Sequence, residues 1–208
     1  TYRPIGDRKE ELVDHKGELG DEFVSSYPAD ALPLLCRVIH TTADFSYRDT
    51  LTITDGAVEK AKEAIRRGLP IITDTTMAAS GINKTAEENF GIEVHCFIGD
   101  EDGEGKSEGE RHDKICGQCR KSRRMLSGMH LRGGQRTDSL SAFMMIEEKK
   151  IPPRRSLSGV PVGFVNVVEA KELILRTGVP AIVARGRKGG SNIAAAIAMR
   201  YYMKLAGE

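Results

Sequence analysis

The feature that most limits the fold is a strand-sized apolar run that feeds a glycine turn and then a long helix. VPAIVARG occupies 179–186, RKGG follows, and SNIAAAIAMRYYMKLAG completes the unit. A short apolar, β-branched run bounded by turn residues reads as a buried strand. The Ala-rich stretch after Ser191 reads as a helix.

The same pattern recurs upstream. GAVEKAKEAIRRG has apolar positions at helical spacing, with Asp55 as the expected N-cap and Gly68 at the C-terminal end. Pro70 and a short strand, IITDT, follow directly. IEVHCFIG at 92–99 reads as a further buried strand, and 76–90 as a polar connection that is helical in part. FVNVVEAKELILRTG predicts a helix over about 166–177. LPLLCRVIH predicts a helix ending near His40, with a loop after it, and a short helix is expected within 8–18. Strands separated by amphipathic helices define an α/β fold: a single domain over 1–208, with a mainly parallel sheet flanked by helices on both faces.

Composition excludes several classes. The chain has 208 residues, 39% apolar and 29% charged, which suits one folded domain. Net charge is +1, so no global footprint for nucleic acid or membrane is present. No apolar run is long enough for a transmembrane helix, and the N-terminal stretch has no signal-peptide pattern. The expectation is a cytoplasmic protein. Cys36, Cys96, Cys116 and Cys119 are then reduced thiols rather than a disulfide framework. The acidic run at 100–110 and the basic run at 120–136 read as solvated surface.

In parallel sheets, ligands bind beyond the carboxyl ends of the strands. Three polar loops fall at such ends: Asp74 to Gly81, Gly99 onward, and Arg185 to Ser191. The last, RGRKGGS, joins a strand to a helix start through two glycines. Glycines allow close backbone approach, and the helix start offers free N–H groups and a positive dipole end. Arg185, Arg187 and Lys188 add charge, so the chemistry suits a phosphate or a carboxylate. Neither P-loop nor dinucleotide spacing is present. The plainer alternative is a helix cap with solvated basic neighbours. His40, in RVIHTTADF, could pack as a core residue or could exchange protons near neutrality. Thr41 and Thr42 beside it carry hydroxyls, and Asp44 could orient its ring. Cys116-Gly-Gln-Cys119, with His112 and His130 nearby, is a lone CxxC and a weak zinc signal, so no metal site is expected.

Three segments together resemble the precorrin-8X methylmutase family. They are VIHTTADF; PIITDTTMAASGI with GAVEKAKEAIRRG; and GVPVGFVNVVEAKELILRTGVPAIVARGRKGGSNIAAAIA. The resemblance implies a homodimeric α/β isomerase of cobalamin biosynthesis. It would move a methyl group from C-11 to C-12 of precorrin-8, or of its cobalt form, without a cofactor. The family's acid–base histidine falls on His40. The resemblance also implies a corrinoid rich in carboxylates. Thr41, Thr42, Asp74, Thr75, Met77, Arg185, Arg187, Lys188, Gly189, Gly190 and Ser191 are then its expected contacts.

Residues 103–158 depart from the family pattern, which there carries a strand ending in a Gly-Asn-Ala-Pro-Thr-Ala turn. If Gly133 to Leu140 are encoded GGC-GGG-CAA-CGC-ACC-GAC-AGC-CTN, reading one base later yields Ala-Gly-Asn-Ala-Pro-Thr-Ala. A pair of compensating frameshifts accounts for the segment and for the return to pattern at 159. CGQC is then an accident of the shifted frame. A non-catalytic corrinoid- or tetrapyrrole-binding relative is the alternative that this segment favours.

Overall fold

The computed structural model describes residues 17–82, 91–96, 129–132 and 157–205. In chain order the elements are α1 (Asp21–Ser26), α2 (Leu32–Thr42), α3 (Tyr47–Thr50), β1 (Leu51–Ile53), α4 (Ala57–Arg66) and β2 (Ile71–Thr73). Then come β3 (Val94–Cys96), β4 (Met129–Arg132), β5 (Leu157–Gly159), α5 (Val167–Arg176), β6 (Ala181–Ala184) and α6 (Ser191–Leu205). Residues 76–82 form a further helical segment after β2.

Among the described residues six strands make one mixed sheet in the order β1-β6-β5-β4-β2-β3. Every pairing is parallel except that of β1 with β6. β6 is buried along its whole length, as expected of a strand covered on both sides. Its side chains alternate: Ile182 and Ala184 join the larger core with α2, α4 and α6, while Ala181 and Val183 join a smaller cluster around Ile174 of α5.

Several expectations need correction. The connection after His40 holds the short helix α3 and strand β1, because β1 pairs with the edge of β6 through Leu51 opposite Ala184 and Ile53 opposite Ile182. Asp55 does not cap α4; Gly56, with φ of 73°, occupies the N-cap and no side chain bonds there. The strand within 92–99 is not fully buried: β3 lies at the edge of the sheet and its three residues are half-buried. β4 and β5 lie in the stretch where no strand is expected, although Met129-His130-Leu131-Arg132 alternates apolar and polar residues over its four positions. Residues 8–16 of the expected N-terminal helix, residues 83–90 of the polar connection, the acidic run at 100–110, the basic run at 120–136 apart from 129–132, the loop from Gly99, Cys116-Gly-Gln-Cys119 and most of 103–158 lie outside the described residues.

Candidate active site at the carboxyl edge of the sheet

Because β2, β5 and β6 belong to one parallel array, the segments that leave them emerge at the same edge. These are 74–76, 160–166 and 185–190. Three hydrogen bonds knit them together. Thr75 Oγ1 and Ser191 Oγ lie 2.8 Å apart, Gly190 N donates to Val160 O at 2.7 Å, and Gly163 N donates to Arg187 O at 3.2 Å. Gly189 is held so close to Val160 O and Pro161 O that a Cβ would collide with both. Gly189 is thus required by backbone approach, and Gly190 by its φ of 134°.

α2 delivers its C-terminal end to this edge, where the residues after it meet Lys188. Leu32, Leu35, Val38 and Ile39 bury one side of α2, while His40, in its last turn, is exposed. His40 is therefore not among the buried residues of the chain. Ala43 closes α2 in the left-handed region (φ 51°, ψ 33°), which turns the chain so that Asp44 meets the glycine loop. Asp44 does not serve as an orienting partner for His40. Its carboxylate accepts from Lys188 Nζ at 2.6 Å and from Ser46 N at 2.9 Å. Those bonds hold the Asp44 carboxyl down at about 2. Lys188 also reaches Ser46 Oγ at 2.9 Å. Thr41 and Thr42 turn their hydroxyl hydrogens back to Arg37 O and Val38 O, each at 2.8 Å, so their oxygens are left as acceptors.

Basic side chains at the loop divide by partner. Arg185 forms a two-pronged pair with Glu172 on α5, at 2.8 and 3.0 Å, and Glu172 raises its pKa. Arg187 is exposed, with its guanidinium carbon 5.5 Å from the Phe164 ring centre. Around the same edge stand the exposed large apolar residues Met77, Phe164 and Val165. Asp74 is half-buried at the end of β2.

Phe164, Val165, Ser46 and Glu172 belong to this edge but escape sequence reasoning, as does Lys171. Lys171 alone left a readable signal. It occupies the buried stripe of α5 with Val167, Ala170 and Ile174, at a spacing where an apolar residue is expected. Among the described residues no group of acids, histidines and cysteines is placed to hold a metal ion, and no helix is long and apolar enough to cross a membrane.

An α/β sheet that gathers a glycine-rich, cationic helix start and strand-end loops at one edge, with neither a P-loop nor a dinucleotide fingerprint, sets the class as an α/β protein with a strand-end site. Comparison makes the class specific. The model of the precorrin-8X methylmutase family matches residues 12–200. The cobalt-precorrin-8 methylmutase of Salmonella typhimurium is 37% identical over 175 residues, covering 82% of this chain and 81% of that protein. The precorrin-8X methylmutase of Pseudomonas aeruginosa is 28% identical over 83% of this chain and 84% of its own. The crystal structure of precorrin-8x methyl mutase from Thermus thermophilus superposes with a TM-score of 0.81 at 31% identity, covering 95% of this chain and 93% of that one. The chain belongs to the precorrin-8X methylmutase family, isomerases of cobalamin biosynthesis.

Proposed function

We propose that this chain moves a methyl group from C-11 to C-12 of precorrin-8 or cobalt-precorrin-8, giving a hydrogenobyrinate- or cobyrinate-type product, with His40 lending and recovering the proton. The observation that carries the reading is the exposed His40 at the end of α2, an end tied to the glycine-rich start of α6 through Asp44 and Lys188. The carbon bond to C-11 breaks as that to C-12 forms. The proton given to the macrocycle is returned, so composition is unchanged. Carboxylates of the substrate meet Arg187, the free side of Lys188 and the backbone of Gly189, Gly190 and Ser191. Met77, with Thr75 and Asp74 beside it, lies against the ring, and the Thr41 and Thr42 oxygens accept hydrogen bonds near His40. Arg185, already paired with Glu172, contributes field more than contact.

The reading extends to a cytoplasmic homodimer with one domain over 1–208, helices on both faces of the sheet, and no cofactor. It treats 103–158 as a frameshifted segment. An intact mass matching the printed chain, with an in-frame gene, would remove a sequencing error as the source.

The test is incubation of the purified protein with precorrin-8 or cobalt-precorrin-8, followed by absorption. Product formation by the wild type is expected. His40→Ala should abolish turnover and retain product binding. A spectral shift without product would point instead to a non-catalytic corrinoid-binding relative, the reading that 103–158 favours. Joint loss of binding and turnover in His40→Ala would make His40 structural.

A further inference from the structure

Lys171 is completely buried, with no exposed surface, on the inner stripe of α5. Its ammonium donates to Gly186 O at 2.8 Å and to Lys188 O at 2.7 Å. The carbonyl between these two, Arg187 O, is taken by Gly163 N. Three successive carbonyls of the glycine loop are therefore bound, two of them by one side chain. Arg187 and Lys188 keep their side chains at the surface.

Among the described residues no carboxylate pairs with Lys171. Glu172, next to it on α5, is occupied by Arg185, and Asp44 is occupied by Lys188. A buried cation without a counter-charge is costly. An apolar residue of equal length would fill the stripe without that cost. Desolvation accordingly lowers the Lys171 amine to about 8. An anion seated on the outer side of the loop would offset the charge beneath it.

We propose that Lys171 is a positioning residue for the substrate's carboxylates: from behind the 186–188 turn it fixes the loop that presents Arg187 and the start of α6, and its charge favours an anion there. The inference rests on the reading that this loop receives carboxylates.

Lys171→Met keeps the length of the side chain and removes its donors, and Lys171→Gln keeps two shorter donors. Steady-state kinetics on precorrin-8 and absorption titration with hydrogenobyrinate, its metal-free product, read the outcome. We expect KM and the product dissociation constant to rise about tenfold or more in Lys171→Met, and less in Lys171→Gln, with kcat held within about twofold. If Lys171→Met does not fold, the Gln variant carries the same comparison. Unchanged KM in both variants overturns the proposal. So does a fall in kcat at fixed KM with a lowered Tm, which marks a structural role alone. Arg187→Ala serves as the control for the underlying reading. If it raises KM and Lys171 variants do not, only the positioning role fails. If it leaves KM and product binding unchanged, the loop is not the carboxylate site and both readings fall.

Discussion

Lys188 and Asp44 meet at 2.6 Å although 144 residues of sequence separate them. This one contact joins the loop after α2, which carries His40, to the loop that opens α6. The pair is only partly shielded, with side-chain exposures of 56% and 29%. Its value to overall stability is therefore modest, and its main effect is to hold two loops in register.

Removing the Asp44 charge should show that division. Asp44→Asn is expected to cost about 0.5–1 kcal/mol in urea unfolding at pH 7. Folding depresses this carboxyl to about 2, below the unfolded value of about 3.9. Its stabilisation is present above the unfolded value and is lost as pH falls through the folded one. The gap between wild type and Asp44→Asn should be full near pH 6 and shrink toward pH 2. A gap that stays constant over that range would count against the ion pair.

Lys171 titrates in the opposite sense. Its folded value, about 8, lies below an unfolded value of about 10.4. Between them the unfolded chain binds more protons, so stability rises with pH. Relative to Lys171→Met, the wild type should gain stability from pH 8 to about 10.4 and hold level below pH 8. Denaturant titrations at stepped pH would measure it, and a flat difference through that window would contradict the buried charge.

Gly189→Ala should lower stability by about 2 kcal/mol or more, since its Cβ would press on the carbonyls of Val160 and Pro161. Backbone cannot swing aside as a flexible side chain can. Thermal unfolding gives the stability change, and titration with hydrogenobyrinate should show weakened binding as the loop shifts.

Gly159 offers a softer collision. A Cβ there meets Ile174 Cδ1, and Ile174 is fully buried in the cluster beside α5. Gly159→Ala should destabilise by about 1–3 kcal/mol. Ile174→Val, which deletes that methyl, should cost about 0.5–1.5 kcal/mol alone. Together they should cost less than the sum, because the second change vacates the space the first needs. Additive costs in a double-mutant cycle would show that the two do not share that space.

Much of the architecture was legible because period and punctuation agree. α4, α5 and α6 appear where apolar spacing and glycine stops predict them, and β2 and β6 follow as apolar runs. β1 was not legible. Leu51-Thr52-Ile53 does alternate apolar and polar residues, but over too few positions to stand out from a loop, and β6 supplies the edge it pairs with. β4 is similar, a short segment held between β2 and β5. Isolated propensity is a weak guide where a neighbouring strand supplies the hydrogen bonds.

The amino-acid sequence by itself determined the α/β class, the glycine-rich cationic loop and the family, through PVGFV and RGRKGGS. Taken locally it favoured a packed His40, the family resemblance gave that residue the acid–base role, and the basic residues of the loop stood as equivalent. Only the tertiary structure separated them. It exposed His40, paired Arg185 with Glu172, tied Lys188 to Asp44, and sank Lys171 beneath the turn. The physical reason is that apolar periodicity is a local signal written along one element. Charge partnership and burial depend on which element ends meet in space, and those meetings are set by the sheet order.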